Sequence, residues 1–210
     1  MRRGVMMGKI LQFPTKSPSK FGFQRVKKTK KPDPKRKPGQ LNLFAKPDAQ
    51  IIALPLSLSP FEEALLLDER DEEKAKSAYK KAISSSDCVA DAYCNLGILE
   101  SKSGDTFKAF DCFTHSLKHD SRHLESHYNL ANLYFDSGDL RMACLHYQLA
   151  GEIEPGFPNV YFNLGLVHAM NDNFTEAAIA LDKYKELTSD EEGSKADELL
   201  KSIKLTMTGQ

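Results

Sequence analysis

The stretch YCNLGILESKSGD, residues 93–105, occurs in related form at two further places along the chain. It returns as HYNLANLYFDSGD at 127–139 and as YFNLGLVHAMNDN at 161–173, so the spacing is 34 residues each time. Each copy carries a leucine followed by a small residue, and each ends in a short polar turn. A fixed period of this length indicates a structural repeat in which one folding unit stacks on the next.

A second set of positions follows the same period. An alanine recurs every 34 residues, with a large apolar side chain four positions later: Ala75 and Tyr79, Ala109 and Phe113, Ala143 and Tyr147, Ala177 and Leu181. Small residues allow two helix backbones to approach closely, and large ones fill the space beside them. The pattern therefore predicts paired helices.

The polar turn inside each copy predicts where one helix ends and the next begins. A residue suited to the left-handed conformation is followed by a residue able to cap a helix: Gly104 and Asp105, Gly138 and Asp139, Asp172 and Asn173. Before the repeats, Ser59 and Glu62 match a capping box, and Pro60 suits the first helical position. The helical region should begin there.

These residues resemble the tetratricopeptide repeat family, whose pattern of W-x2-L-G-x2-Y, A-x3-F and a closing proline returns every 34 residues as a helix–turn–helix unit. The resemblance covers about residues 56–189. It implies an all-α fold, an α-solenoid of antiparallel helix pairs, with units at 56–89, 90–123, 124–157 and 158–191. The closing proline is kept at Pro155, whereas Ser121 and Ser189 replace it in two other units.

The residues that flank the repeats have a different composition. After Ser189, the sequence KADELLKSIKL places three apolar residues on one helix face, which predicts a capping helix over 194–207 and a repeat domain over 56–207. Residues 1–40 are rich in Lys, Pro, Ser and Thr, so we expect a disordered tail. Between them, the alternating apolar residues of 41–55 suggest an extended strap or a short hairpin.

The formal net charge of zero is the sum of two opposite halves. Residues 1–46 contain 14 Lys and Arg against one acid, whereas residues 47–210 contain 15 Lys and Arg against 28 Asp and Glu. A basic tail on an acidic folded domain indicates either an anionic partner or a contact between the two parts of the chain.

The recurring asparagines, Asn95, Asn129 and Asn163, are candidates for ligand contact. In tetratricopeptide repeats the first helix of each pair lines the concave side, and that surface generally binds a peptide. A primary amide both donates and accepts, so a ladder of asparagines can bind the main chain of an extended peptide. The alternative, left open by the sequence, is that these residues only bond to the backbone of a neighbouring helix.

Other residues on nearby faces of these helices complete the candidate peptide-binding surface. They are polar, acidic or aromatic: Asn132, Tyr128, Phe162, Asp91 and Glu125. An acidic and aromatic groove suits a basic or amphipathic segment, because charge complementarity sets specificity. The chain's own RVKKTKKPDPKRKP, residues 25–38, is one such segment, so we hypothesise that the tail transiently occludes the groove.

The basic residues of the tail allow further interpretations. The cluster consists of Arg25, Lys27, Lys28, Lys30, Lys31, Lys35, Arg36 and Lys37. It could bind a polyanion such as nucleic acid, with Phe21 and Phe23 stacking on bases; it could be a nuclear localisation signal in a eukaryote; or it could simply be a solubilising tail. The rival function is accordingly a nucleic-acid-associated adaptor anchored by this tail.

The remaining patterns argue against other functional classes. Four histidines spaced by four, at 115, 119, 123 and 127, fall across two predicted helices and the turn between them, so we expect no metal site. No nucleophile elbow or phosphate loop is present, and we expect neither catalytic residues nor a cofactor. The four cysteines lack disulfide or zinc spacing, and no apolar run reaches the length of a membrane span. The sequence thus favours a cytoplasmic, non-catalytic scaffold that binds a partner protein or peptide.

Overall fold

The computed structural model describes residues 19–27 and 58–208, and every regular element in those ranges is an α-helix. There are nine in the described part of the chain. Their bounds are α1 Pro60–Asp68, α2 Glu72–Ser84, α3 Val89–Lys102, α4 Thr106–His119, α5 Leu124–Asp136, α6 Leu140–Ile153, α7 Pro158–Met170, α8 Phe174–Leu187 and α9 Asp190–Thr208. The predicted all-α class is confirmed.

The helices pack in chain order as antiparallel pairs. The closest pairs are α1 with α2, α3 with α4, α5 with α6 and α7 with α8, and each pair also packs on the next one. Helices α3 and α5, the first helices of two successive pairs, touch each other directly. First helices therefore lie side by side, which places equivalent residues of successive repeats in a row.

The residues predicted to cap helix N-termini form the expected capping hydrogen bonds at Ser59, Asp105 and Asp139. Ser59 forms a capping box with Glu62 at the start of α1. The side chains of Asp105 and Asp139 accept hydrogen bonds from the backbone N–H groups of Lys108 and Met142, which caps α4 and α6. Carboxylates at these positions also interact favourably with the positive end of the helix dipole.

The turns between paired helices use the left-handed conformation at the predicted places. The φ angles are +86° at Gly104, +81° at Gly138 and +58° at Asp172. Asp172 tolerates a positive φ because its short polar side chain is less strained there than a bulky one. Asn173, which the sequence predicts as the cap of α8, begins that helix without a side-chain capping bond.

The small residues of the first helices are required by close packing. A Cβ atom added to Gly97 would lie 2.8 Å from Cε1 of Phe113, and one added to Gly165 would lie 2.7 Å from Cγ of Leu181. Both distances are shorter than real carbon–carbon contacts, so a side chain at either position would force the partner side chain to shift. The large partners Phe113 and Leu181 are completely buried.

The C-terminal helix is longer than the sequence predicted. The expected range was 194–207, whereas α9 runs from Asp190 to Thr208. Its first turn carries Asp190, Glu191 and Glu192, and acidic side chains stabilise a helix N-terminus. The prediction rested on the apolar face of KADELLKSIKL and did not use these acids; the backbone N–H of Gly193 donates to the carbonyl oxygen of Ser189 at 2.8 Å inside the first turn.

The N-terminal region departs from its predicted disorder in one stretch. Residues 19–27 take an extended path along the repeats, with Val26 buried and Phe21 and Phe23 half-buried. This differs from the disordered tail expected over 1–40, because aromatic and aliphatic side chains find apolar contacts on the repeat domain. The remainder of that tail and the predicted strap at 41–55 lie outside the described residues.

Candidate peptide-binding groove

Residues 19–27, SKFGFQRVK, are called here the docked segment. They lie along the side-by-side first helices α3, α5 and α7, and the surface of these helices that faces them is called the groove. The segment starts near the fourth pair of helices and ends near the first. Its N-to-C direction is thus opposite to the order of the repeats.

Three asparagines, one on each first helix, bind the main chain of the docked segment and are called here the asparagine ladder. Each side chain accepts a hydrogen bond from the N–H of one segment residue and donates to the C=O of that same residue. The pairs are Asn163 with Phe21 (2.7 and 3.1 Å), Asn129 with Gln24 (2.7 and 2.8 Å) and Asn95 with Val26 (3.0 and 3.1 Å).

All three ladder side chains are completely buried. A buried amide is costly unless its donor and acceptor are both satisfied. The docked segment supplies both partners at each position. The ladder therefore binds the main chain of the segment rather than particular side chains.

At the end of the groove beside the first repeat, Arg25 pairs with a buried acid. Its Nη1 lies 2.8 Å from Oδ1 of Asp68, the last residue of α1, whose side chain is 1% exposed. The other carboxylate oxygen accepts a hydrogen bond from the Tyr79 hydroxyl at 2.9 Å. Asn95 in turn donates to the Tyr79 oxygen at 3.2 Å, so the ladder and the acid are joined through one tyrosine.

The protonation of Asp68 depends on this pairing. Burial raises the pKa of Asp68, whereas the hydrogen bond from Tyr79 and the positive charge of Arg25 oppose that rise. Burial, with the nearby charge of Asp68, also raises the pKa of Tyr79, which therefore stays a neutral donor. Without a cation at the position of Arg25, Asp68 would be a buried carboxylate with one oxygen unpaired.

At the opposite end of the groove, Phe21 lies among aromatic rings. Its ring centroid is 5.1 Å from that of Phe162 in an edge-to-face arrangement and 5.9 Å from that of Tyr184. The ammonium group of Lys195 lies 5.2 Å from the centre of the Phe21 ring. The Tyr128 hydroxyl donates to the Phe21 carbonyl at 3.2 Å, so this residue is held by both its ring and its main chain.

Between the two ends, Phe23 and Lys20 contact the rim of the groove. The Phe23 ring stacks on Phe113 with centroids 6.1 Å apart. Lys20 Nζ lies 3.3 Å from a carboxylate oxygen of Asp136, which is 55% exposed, and 5.7 Å from the centre of the Phe23 ring. An ion pair with so exposed a partner contributes little to binding.

The structure brings some of the predicted site residues together and not others. The three ladder asparagines, Tyr128 and Phe162 all contact the docked segment. Asn132 lies behind the ladder, where its oxygen accepts from the Tyr147 hydroxyl and from Nδ2 of Asn163. It orients a ladder residue and makes no hydrogen bond to the segment among the described residues.

Of the two predicted acids of the groove, Asp91 binds a histidine instead of the docked segment. Nδ1 of His123 accepts from the backbone N–H of Ser126 and caps α5, which leaves Nε2 to donate to Asp91 at 2.9 Å. Glu125 lies 3.8 Å from Nδ1 of the same ring. The acids that pair with the docked segment are Asp68 and Asp136, which end helices α1 and α5 and stand two 34-residue periods apart, at the same position of the first and third units.

The described part of the basic tail is short. Arg25 pairs with Asp68 and Lys27 is exposed, whereas Lys28, Lys30, Lys31, Lys35, Arg36 and Lys37 lie outside the described residues. Sequence analysis did not predict that Phe21 and Phe23 contact the groove; it suggested that they stack on bases. The available signal was the apolar island FGFQRV within a stretch otherwise rich in Lys, Pro and Ser.

The other residue clusters in the described ranges carry no sign of a metal or membrane site. Within 19–27 and 58–208, no group of three or more His, Cys, Asp and Glu side chains is placed to hold a metal ion. None of the helices in those ranges combines the length and the apolar character that crossing a membrane requires. The four cysteines, all within those ranges, form no disulfide, and burial raises the pKa of Cys94 to about 12.

Comparison with known proteins identifies the repeat. Residues 124–157, which contain α5 and α6, match the family model of the tetratricopeptide repeat. The chain contains a tetratricopeptide repeat. The matched residues coincide with the third predicted unit. Proteins built from tetratricopeptide repeats mediate protein–protein interactions and are in general non-catalytic.

A curated relative shares these repeats over part of its length. The mouse (Mus musculus) tetratricopeptide repeat protein 8 is 30% identical over 122 residues, which are 58% of this chain and 21% of the mouse protein. The chain thus spans about a fifth of the length of this relative.

Solved structures with a similar fold include tetratricopeptide repeat domains. The first such domain of Spaghetti (RPAP3), bound to the HSP90 peptide SRMEEVD, is 21% identical, with a TM-score of 0.53 over 57% of this chain and 93% of that chain. MamA is 20% identical, with a TM-score of 0.53 over 67% and 90%. A repeat protein from Parabacteroides merdae is 19% identical, with a TM-score of 0.62 over 71% and 59%. At these identities the likeness concerns the fold alone.

Proposed function

We propose that this protein is a non-catalytic interaction module whose groove binds an extended segment of a partner protein. The observation that carries the proposal is the asparagine ladder: three buried amides, one per repeat, each bonded twice to the main chain of the docked segment. A surface that satisfies the main chain of an extended peptide at three points fits recognition of peptides.

The binding of a peptide by a related fold supports this proposal. The RPAP3 domain is described as bound to an HSP90 peptide, SRMEEVD. That peptide is acidic, whereas the groove of this protein presents Asp68 and Asp136 to basic residues. We therefore propose that this groove also binds a peptide segment, but a basic segment instead of an acidic one.

The experiment uses the full chain with its own segment released from the groove. Phe21→Ala together with Arg25→Ala removes the contacts at both ends, and a fluorescently labelled peptide of residues 19–27 is then added. We expect saturable binding, measured by fluorescence anisotropy. Within this background, Asn129→Ala should weaken the binding about tenfold, since it removes two hydrogen bonds that together contribute roughly 1–2 kcal/mol.

The matched control is Asn171→Ala, which changes an exposed asparagine at the end of α7. It should leave the affinity unchanged, and circular dichroism should show the same helix content in both variants. Equal affinities for Asn129→Ala and Asn171→Ala would contradict the proposed function.

The nucleic-acid adaptor remains a sequence prediction. Arg25, one of its proposed contacts, is engaged by Asp68 in the groove, and most of the other proposed residues lie outside the described ranges.

A further inference from the structure

We infer that the groove selects partner segments of the pattern aromatic-x-aromatic-x-Arg-aliphatic, and that the docked segment is a built-in competitor for such partners. The inference rests on the proposed function and concerns which sequences the groove accepts. It follows from what the structure offers to each side chain of residues 21–26, taken in turn.

The first position requires an aromatic ring. Phe21 makes an edge-to-face contact with Phe162 and a tilted contact with Tyr184, while the ammonium of Lys195 lies over its face. These interactions depend on the charge distribution of a π-system. An aliphatic residue would keep part of the burial and lose the ring contacts and the cation.

The third position also favours an aromatic residue. The Phe23 ring stacks on Phe113, the same residue that fills the space against Gly97. Because Phe113 is completely buried and held by helix packing, it presents a fixed ring to whatever occupies this position. The second position is unselective: Gly22 is exposed, and a Cβ atom added there would meet nothing within 4 Å.

The fifth position requires a cation, and arginine suits it best. Asp68 is buried and keeps one oxygen for the ligand, because Tyr79 holds the other. A carboxylate in this environment strongly disfavours an empty or neutral neighbour. The Arg25 side chain is 27% exposed, so a long side chain must reach inward from the rim, and a guanidinium presents several donors in a planar arrangement that matches a carboxylate.

The sixth position takes an aliphatic side chain of moderate size. Val26 is 8% exposed and belongs to a buried cluster with Cys94, Ile98 and Leu130. Its main chain is bonded twice to Asn95, which fixes the direction in which the side chain enters the cluster. A charged residue here would be buried without a partner.

The charge of the groove excludes acidic ligands. An acidic ligand would place its carboxylates next to the carboxylates of Asp68 and Asp136, and these like charges would repel. The partner is thus a protein with an exposed, extended segment that is basic and aromatic. Since the docked segment has the same pattern, a partner must displace it, which makes the apparent affinity of the intact chain lower than that of the released chain.

The test varies the peptide and keeps the protein constant. The protein is the released full chain, Phe21→Ala with Arg25→Ala, and the probe is the labelled peptide SKFGFQRVK. A peptide with alanine in place of its arginine, and one with alanine in place of its first phenylalanine, should each bind at least about tenfold more weakly, a loss of about 1.4 kcal/mol. A peptide with alanine in place of its glycine should bind as well as the parent.

Two further arms sharpen the result. Asp68→Asn in the released protein should abolish the preference of the groove for the arginine peptide over the alanine peptide. The peptide SRMEEVD should not bind. Intact wild-type protein should bind the labelled parent peptide at least about tenfold more weakly than the released protein does, because its own segment competes. Arg25→Asp provides a second released form, since it places a carboxylate next to Asp68.

The outcomes separate this inference from the proposed function. If all peptides, including a scrambled one, bind equally and still require Asn129, the sequence pattern is wrong and main-chain binding stands. If no peptide binds to either released form while the helix content is unchanged, the proposed function itself is wrong. If wild-type protein forms a dimer that dissociates on release of the segment, the groove belongs to a second copy, and the built-in competitor is overturned.

Discussion

Phe21 and Arg25 belong to one short segment, yet the two ends of the groove hold them in different ways. Around Phe21 there are aromatic rings and the ammonium group of Lys195, whereas Arg25 pairs with the buried carboxylate of Asp68 at 2.8 Å. Shortening an aromatic side chain removes its stabilising contacts in proportion to the area lost, whereas removing one partner of a buried ion pair exposes the full cost of burying the other charge. The two ends should therefore respond very differently to substitution.

The asparagine ladder between these ends differs from both. Its six hydrogen bonds involve only main-chain atoms of the segment, so the ladder fixes direction and register without selecting a sequence. The comparison indicates a division of tasks in which the ladder sets direction and register, and the acidic and aromatic side chains around it supply the selectivity.

The largest effect is expected from Arg25→Ala. Removal of the guanidinium leaves Asp68 buried and unpaired, which should lower the free energy of unfolding by about 2–3 kcal/mol; this is less than for a fully buried pair, since Arg25 is 27% exposed. Urea unfolding followed by circular dichroism measures the change. Asp68→Asn should make the same substitution much less harmful, and purely additive effects of the two changes would show that the pair is not coupled.

A decrease in pH should recover part of that loss. Burial raises the pKa of Asp68 and Arg25 opposes the rise, so the pKa should be higher still in Arg25→Ala. The ionised form is then disfavoured in the folded state, and protonation as the pH falls through the raised pKa stabilises the fold relative to the unfolded chain. The comparison is between Arg25→Ala and Arg25→Ala with Asp68→Asn, measured by thermal unfolding across pH. Parallel curves would contradict the argument.

Phe21→Ala is expected to have the next largest effect. It removes ring contacts with Phe162 and Tyr184 at a half-buried position, which should weaken docking by about 2 kcal/mol. Phe21→Leu keeps much of the apolar area and should cost about half as much. Chymotrypsin cleavage after Phe23 in each variant reports how often the segment leaves the groove. Equal cleavage rates in both variants would show that the ring contacts are unimportant.

Asn129→Ala should have a smaller effect, about 1–2 kcal/mol for the two hydrogen bonds to Gln24. Asn129→Asp keeps an acceptor for the Gln24 N–H and loses the donor to its C=O, so a residual bond should remain. The exchange rate of the Gln24 amide proton, measured by NMR, distinguishes the two variants. Protection in Asn129→Ala equal to that of the wild type would exclude this pair from docking.

The smallest effect is expected from Lys20→Ala, at most about 0.5 kcal/mol, because its partner Asp136 is 55% exposed and water screens the pair. Addition of salt should reduce even this difference in urea unfolding. A loss of stability as large as that of Arg25→Ala would show that the solvent exposure of the acid does not determine the strength of these two ion pairs, which would contradict the account.

The sequence predicted the features that recur with the 34-residue period. The small residues at 97 and 165 are required by contacts of 2.8 and 2.7 Å that a Cβ atom would make, and the turn residues at 104, 138 and 172 adopt the positive φ that their types favour. The asparagines recur with the same period. Close packing explains the leucine and the small residue beside each of them but not the amide, which made the amides candidates for ligand contact.

The selective residues could not be predicted in this way. Asp68 is the last residue of α1, and its contacts with Tyr79 and Arg25 depend on tertiary packing, which its position in the 34-residue period does not reveal. Phe21 and Val26 stand in a basic, proline-rich stretch whose average composition indicates disorder. Six residues are too few to change that average, although they suffice to fill the groove.

The most direct test of the central claim is site-resolved amide hydrogen exchange over residues 19–27 of the full wild-type chain. The N–H groups of Phe21, Gln24 and Val26 donate to ladder oxygens, whereas Gly22 is exposed. We expect slow exchange at the three ladder-bonded amides, fast exchange at Gly22, and selective acceleration at Gln24 in Asn129→Ala but not in Asn171→Ala. Uniformly fast exchange along the segment, unchanged by Asn129→Ala, would contradict the claim that the ladder binds this main chain.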